Sequence, residues 1–325
     1  MVKQVKRIYP NKNKWVSITW QVNDVCNFRC SYCNEYNWGG RHRNGNTEEI
    51  CRNLDKIMKH YKSKGYEYFK IFFSGGEPTF WDPLFSVIET FENNAKFPGS
   101  CVGINSNLSR PLKWWKEHHH KFDDVVGSYH IEFTDEKKYL KNYEYLSTRK
   151  NWMCARLMMH KDHFQHMIDV GEKIKKFPNT IIEYAPVFDE LKPDTDPYHY
   201  DEKWMGEWLM KNPMHIEQES KPESREIKVF SMVEFEDGTS DAINTNSLIA
   251  NKQNFFNGWK CHIDEAIHIM PNGDMSLASC GVGPKIGNIV RGQFINSNAK
   301  PIICPKLHCH CAADINITKY RKEHA

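Results

Sequence analysis

The sequence predicts an α/β protein built on a parallel sheet, and three observations carry that expectation. Six strand-like segments before residue 190 alternate with segments of helical periodicity. A chain of 325 residues with a hydrophobic fraction of 40% can bury one large domain and a small one. After Phe188 the alternation stops, and a polar stretch leads into a cysteine-rich final quarter.

The elements follow in order. In Trp15 to Val22 the residues Val16, Ile18, Trp20 and Val22 share one face, which predicts a first strand. Thr47 to Lys64 carries Ile50, Leu54, Ile57, Met58 and Tyr61 at helical spacing, and Gly65 can end that helix. Tyr66 to Phe73 reads as a second strand. Asp82-Pro83, a cap followed by a first-turn proline, predicts a helix with Phe85, Ile88 and Phe91 on one face. Cys101 to Asn105 is a third strand, and Pro111 opens a helix running through His118-His119-His120, expected as a solvated helix end. Val125 to Phe133, Trp152 to Met159 and Thr180 to Phe188 complete the strands, with helices near Asp135 to Leu146 and Asp162 to Phe177. Beyond them, Asp194 to Lys211 places Trp204 and Trp208 one helical turn apart, Lys221 to Arg225 reads as a linker, and Ile227 to Ile243 as a hairpin around Asp237-Gly238. Such alternation implies helical crossovers between parallel strands, in a doubly wound sheet or a barrel.

Composition narrows the class. No stretch approaches the ~20 apolar residues of a membrane span, and Met1 to Lys14 is basic without the apolar core of a secretory signal. A cytoplasmic protein with no membrane partner is expected. Its 11 cysteines then argue for metal binding rather than a disulfide framework. A net charge of +3 neither demands nor excludes a nucleic-acid partner.

Cys26, Cys30 and Cys33 directly follow the first strand, in the run Val25-Cys26-Asn27-Phe28-Arg29-Cys30-Ser31-Tyr32-Cys33. A cubane iron–sulfur cluster normally takes four thiolates, so three leave one iron open to another ligand. Zinc with a distant fourth ligand is the alternative. The C-x3-C-x2-C spacing, with Tyr32 before the third cysteine, resembles the signature of the radical S-adenosylmethionine (SAM) superfamily. That resemblance implies a [4Fe-4S] cluster whose open iron chelates the amino and carboxylate groups of SAM. Reductive cleavage of SAM would yield a 5′-deoxyadenosyl radical that removes a hydrogen atom from the substrate. It also decides between the two sheet architectures, for a partial (β/α)6 TIM-like barrel. Reactive groups of such barrels lie at the C-terminal strand ends, where the cysteine loop falls.

The second strand ends in Ser74-Gly75-Gly76-Glu77-Pro78, which resembles the superfamily's GGEP element; Gly75, Gly76 and Glu77 are thereby implied to seat the methionine amino group of SAM. Asn105, in Asn105-Ser106-Asn107 at the end of the third strand, is a further cofactor candidate beside a turn-cap reading. Ser128 and His130 point the same way on the fourth strand and are candidates for the SAM ribose, with a hydrogen-bonded core histidine as the other reading. Tyr32 is placed in the cofactor set with them. Arg156, inside an apolar strand, needs a partner, which is a carboxylate of SAM or substrate, or a structural Asp or Glu.

Five more cysteines, Cys261, Cys280, Cys304, Cys309 and Cys311, lie near the C-terminus. Between the first two, Ala266 to Leu277 reads as a hairpin with an Asn272-Gly273 turn, bringing its flanking cysteines together. Cys309 and Cys311 share a side if extended. This segment, with the lead-in Asn254 to Cys261, resembles the twitch domain, a shortened SPASM domain, and so implies an auxiliary [4Fe-4S] cluster. The expected set is Cys261, Cys280, Cys309 and Cys311 with Cys304 spare; exchanging Cys304 with one of the last pair stays open, as does zinc. Cys51, Cys101 and Cys154 are expected in the core. The domains expected are a barrel over 1–190, a connector with a helix and hairpin over 191–257, and a small α+β twitch-type domain over 258–325.

A radical SAM enzyme of oxidoreductase or isomerase type is therefore expected. It acts on a small-molecule or nucleotide-type substrate, with the auxiliary cluster in electron transfer and flavodoxin or ferredoxin as external reductant. Tyr36, Trp38, Glu183 and Asp189 are candidate substrate groups. The alternatives are a peptide-modifying maturase, whose leader-binding domain is absent or separate because only about fourteen residues precede the first strand, and a non-catalytic electron-transfer protein.

Overall fold

The computed structural model describes residues 3–9, 15–33, 37–40, 45–149, 153–187, 200, 202–212, 214–216, 230–295, 300–309 and 311–321. A strand that the sequence reading did not anticipate comes first, β1 (Val5–Tyr9). The six expected parallel strands follow: β2 (Trp15–Asn23), β3 (Tyr68–Gly75), β4 (Cys101–Ser106), β5 (Asp124–Tyr129), β6 (Met153–Met159) and β7 (Thr180–Pro186), hydrogen-bonded in chain order. Helices α1 (Thr47–Ser63), α2 (Leu84–Asn94), α3 (Leu112–His118), α4 (Glu136–Ser147) and α5 (Phe164–Ile174) connect them, giving the open TIM-like arc.

Helix α1 shows why the periodicity was readable. Asn46 caps it by accepting from the amides of Glu48 and Glu49. Ile50, Leu54, Ile57 and Met58 are buried in one cluster with Val16, Ile18, Trp20 and Val22 of β2, each burial contributing about 1.5–3 kcal/mol. Gly65 takes φ +83° just past the helix end. Helix α2 differs from expectation. It begins at Leu84 with Pro83 in the cap position and no side-chain cap, so Asp82 lies one residue outside. The fourth predicted strand stops at Tyr129, because the amides of Phe133 and Thr134 both turn back to His130 O. His118 is not solvated as expected: it packs on Phe85 and Trp114 at ring distances of 4.6 and 4.7 Å. Cys101 and Cys154 are buried, and Cys51 packs against the core.

The remaining elements are α6 (Lys203–Lys211), β8 (Met214–Ile216), the hairpin β9 (Phe230–Phe235) and β10 (Ser240–Asn244), α7 (Thr245–Ala250), β11 (Lys260–Cys261), β12 (Ala266–Ile269), β13 (Asp274–Leu277), β14 (Lys285–Asn288), β15 (Gln293–Phe294), β16 (Ile302–Ile303), α8 (Ala312–Ile315) and β17 (Lys319–Tyr320). Both expected hairpins form, with Gly238 and Gly273 at positive φ in their turns. The linker at Lys221 to Arg225 and the start of the polar segment at Asp194 lie outside the described residues.

Two pairings cross the expected domain boundaries. Strand β12 adds in parallel to the free edge of β2, so one sheet runs β15-β14-β13-β12-β2-β3-β4-β5-β6-β7-β8. Strand β1, expected with the barrel, instead joins a second sheet ordered β10-β9-β1-β17-β11-β16. Its Val5 and Ile8 are buried with Val233, Phe235, Leu248, Phe256, Trp259 and Ile315, and that apolar face sets its partner. Among the described residues no helix is long and apolar enough to cross a membrane.

Candidate functional site

The C-terminal strand ends enclose a cavity of about 290 Å³ that brings together Cys26, Cys30, Cys33, Tyr32, Gly75, Gly76, Glu77, Asn105, Ser128 and His130. Two glycines bring the cysteine loop onto the end of β3. Gly75 has φ +117°. A Cβ on Gly76 would meet the carbonyl oxygens of Val25 at 2.4 Å and Asn37 at 2.6 Å. The amides of Gly76 and Glu77 donate to Asn23 O and Val25 O, tying the two strand ends together.

The loop is then fastened from several sides. Cys33 N donates to Cys30 O at 3.0 Å, closing a turn. Ser31 donates its amide to Glu132 Oε2 at 2.7 Å and its hydroxyl to Glu132 Oε1. Trp38, expected as a substrate group, donates Nε1 to Cys33 O at 3.1 Å and so braces the loop. Two thiols accept N–H donors: Cys26 Sγ from Phe28 N at 3.3 Å, and Cys33 Sγ from Asn37 Nδ2 at 3.6 Å. Burial, the largest influence, pushes Cys26 up to about 11, Cys30 up to about 12 and Cys33 upward. Such thiols stay protonated alone, and a metal that binds them displaces the protons.

Glu77, which lines the cavity, also has partners within the protein. Its carboxylate is buried and accepts from Thr79 N at 3.1 Å, Thr79 Oγ1 at 2.7 Å, Ser106 Oγ at 2.8 Å and Asn107 N at 2.8 Å. Both oxygens are engaged within the protein, which makes the side chain a brace between the ends of β3 and β4. Burial raises its pKa, against those hydrogen bonds. Asn105 Oδ1 accepts from Ser128 Oγ at 2.7 Å. Tyr32 OH lies 2.8 Å from His130 Nδ1, and the two rings stack at 6.0 Å. Burial brings His130 down to about 4, so it is neutral at pH 7.

Arg156 also lines the cavity, and its Nε donates to Glu183 Oε2 at 2.6 Å. The partner that a buried arginine requires is therefore Glu183 on β7, itself expected as a substrate group. Sequence reasoning missed Glu132 and Asn37, and it missed the brace role of Asn107, whose Nδ2 donates to Asn27 Oδ1 at 2.9 Å. The position of Asn107 just past a strand end was the available signal; Glu132 lay unmarked in a turn read as strand. Tyr36 and Asp189 lie outside the described residues.

The C-terminal cysteines also converge, and none forms a disulfide. Mutual charge effects link Cys261 with Cys280 and Cys304, Cys280 with Cys304 and Cys309, and Cys309 with Cys311. Asn254 holds Cys309 on both sides, accepting from its amide and donating to its carbonyl, each at 3.0 Å. Cys311 sits at the cap position of α8, its carbonyl accepting from Ile315 N. Its charge acts on Arg156, which lines the first cavity. Free, converging thiols fit an iron–sulfur cluster in their donor type at both places.

Comparison with known proteins bears on this geometry. The model of the Radical SAM superfamily matches residues 20–177. The chain is similar to the GTP 3′,8-cyclase of Klebsiella pneumoniae subsp. pneumoniae, 28% identical over 109 residues that cover 32% of this chain and 31% of that protein. It is also similar to the GTP 3′,8-cyclase of Photorhabdus laumondii subsp. laumondii, 30% identical over 120 residues covering 36% and 34%. The chain thus matches about a third of the length of these relatives. Among solved structures, native anSMEcpe with bound AdoMet shares the fold, with a TM-score of 0.51 at 14% identity over 85% of this chain and 78% of that one. The complex of anSMEcpe with AdoMet and the Cp18Cys peptide gives the same TM-score at 13% identity, over 85% and 77%. Residues 20–177, just under half of the chain, thus match a radical SAM domain, and the chain shares the fold of solved proteins that bind AdoMet.

Proposed function

We propose that Cys26, Cys30 and Cys33 hold the SAM-binding cluster and that the adjoining cavity seats SAM beside a small-molecule or nucleotide-type substrate. The cluster and SAM, when bound, supply one-electron cleavage and hydrogen-atom abstraction. The observation that carries the reading is the single cavity formed by the three-cysteine loop and the Gly75-Gly76 strand end. There the chain's own residues orient and shield. The Gly75-Gly76 backbone admits a ligand closely. Asn105, Ser128 and His130 present a polar wall, Arg156 offers its remaining guanidinium N–H groups to a carboxylate, and Phe28 and Met158 add apolar surface that excludes water. The carboxylate of Glu77 lines the cavity and also braces the strand ends.

The C-terminal cysteines hold a second [4Fe-4S] cluster that exchanges an electron with substrate, fed by a reductant of the flavodoxin or ferredoxin type. The charge influence of Cys311 on Arg156, which lines the cavity, supports such an exchange. The nucleotide-type substrate is favoured by the similarity of about a third of the chain to two GTP 3′,8-cyclases. The test is anaerobic reconstitution, iron and sulfide counting, then SAM and dithionite with an assay for 5′-deoxyadenosine. Nucleoside triphosphates and peptides are added separately as substrates. About eight irons, with SAM cleavage stimulated by a nucleotide, is the expected result. Stimulation by peptide alone replaces the substrate class. Iron bound without SAM cleavage under any condition overturns the assignment of the cavity.

A further inference from the structure

Lys319 of β17 is 1% exposed, and its surroundings are unusual for an ammonium group. Its cross-strand partners are Ile8 of β1 on one side and Cys261 of β11 on the other. Directly paired strand residues have Cβ atoms about 4.5–5.5 Å apart, so the lysine stands beside the thiol of Cys261. Its Nζ donates to the carbonyls of Asp314 and Ile315, the latter at 3.0 Å, and lies 4.9 Å from the centre of the Phe256 ring. Those groups belong to the apolar core of the second sheet, which includes Ile8, Phe256, Trp259 and Ile315. Among the described residues no carboxylate lies within ion-pairing distance of this nitrogen. The Asp314 carboxylate is turned to Ser279, accepting its amide at 3.0 Å and its hydroxyl at 2.8 Å.

A buried ammonium held only by carbonyl dipoles and a ring face costs several kcal/mol unless a negative charge compensates it. The other lysines of the second sheet, Lys6 and Lys260, are only partly buried, and Lys6 pairs with Glu234 at 2.7 Å. The groups near Lys319 that can carry a negative charge are the Cys261 thiol across the strand pair and the buried Asp314 carboxylate, which Ser279 already engages. Cys261 stands directly across from Lys319 on the neighbouring strand.

We infer that Lys319 is the buried counter-charge of the C-terminal cysteine site and raises the reduction potential of the cluster held there. The inference rests on the reading of that site as an iron–sulfur centre. A fixed positive charge stabilises the thiolate-ligated cluster in both oxidation states, and the reduced state more, since that state carries one more negative charge. In water-excluded surroundings the difference is large. Lys319 thereby favours acceptance of an electron at the C-terminal site.

The test uses the full chain carrying C26A, C30A and C33A, so that one cluster is observed, reconstituted without oxygen. K319M removes the charge at similar length. K319Q removes it but keeps a donor for the two carbonyls, so misfolding of K319M leaves the question answerable. K319R keeps the charge. Each variant is checked for bound iron and for its circular dichroism, and the cluster is titrated potentiometrically under electron paramagnetic resonance. The expected result is about four irons per chain throughout. The reduction equilibrium should be at least tenfold less favourable in K319M and K319Q, about 59 mV for a one-electron couple, with K319R close to the parent. Unchanged potentials in loaded K319M or K319Q overturn the inference and leave the cluster standing. A parent that binds zinc or no metal at the C-terminal site overturns the cluster reading and the inference with it.

Discussion

Replacing Glu77 separates a bracing role from a ligand role. In Glu77→Gln the amide oxygen can replace Oε1 and keep the bonds from Thr79 N, Thr79 Oγ1 and Ser106 Oγ. The amide nitrogen then faces Asn107 N–H, now 2.8 Å from Oε2, and two donors confront each other. Losing one bond to a charged acceptor and leaving a buried N–H unpaired costs about 2–4 kcal/mol. Removing a carboxylate whose burial opposes ionisation offsets part of this, which favours the lower end. In Glu77→Ala the hydroxyls of Thr79 and Ser106 can rotate to other acceptors, but the amides of Thr79 and Asn107 cannot, and a cavity is added, for about 3–5 kcal/mol. The assay is urea unfolding of the cluster-free chain, followed by far-UV circular dichroism and tryptophan fluorescence to check that the transitions coincide. Stability of both variants within about 0.5 kcal/mol of the parent, the range of surface substitutions, would refute the brace. So would a larger loss in Gln than in Ala.

Gly76→Ala should displace the cysteine loop, since its Cβ collides with two backbone oxygens; SAM cleavage should fall on the order of 10²-fold, the effect of a ~1 Å misplacement, with SAM binding by equilibrium dialysis lowered in parallel. Asn53 donates Nδ2 to Ile289 O at 2.7 Å in a buried contact between α1 and the chain after β14, so Asn53→Leu should cost about 1–3 kcal/mol in the same unfolding assay. Asp237 is held down to about 2, first by the Thr239 hydroxyl and then by the Thr239 amide and Lys3. A depressed folded value means that its contribution to the β9–β10 turn is present above its usual 3.8 and is lost as pH falls from there through about 2. The Thr239 amide resonance should titrate in that window, and Asp237→Asn should abolish the step.

What the sequence made legible were features whose physics is local. The six barrel strands and α1 were readable because buried residues recur with periods of two and 3.6, as in Val16 to Val22 and Ile50 to Tyr61. The cysteine loop and Gly75-Gly76 were readable because their spacing and backbone demands are written in consecutive residues. Strand β1 was hidden by its adjacent cations, Lys6 and Arg7, which break the period of two, and because its apolar partners are more than 200 residues away in sequence. Strands β11, β16 and β17 have two residues each, too few to show a period. The brace role of Glu77 depends on Ser106 and Asn107 arriving from another strand, and Lys319 looked like a surface lysine until the pairing with Cys261 placed it.

The cross-pairing of the sheets bears on how the second site should be probed. Removing the chain beyond residue 258 would strip β12 from the β2 edge and leave β2 with an unpaired row of backbone groups beside the cysteine loop. It would also take β17 from β1, and with it the buried contact of Asn53 to Ile289. A truncated chain that lost SAM cleavage would therefore say nothing about an auxiliary cluster, because the barrel would have lost an edge and part of its packing. Point substitutions at Cys261, Cys280, Cys304, Cys309 and Cys311 leave those pairings intact. Because the charge of Cys311 acts on Arg156, substitution of this cysteine is expected to alter the first cavity as well as the second site. Iron content and SAM affinity measured together across the five variants would separate ligation from this influence.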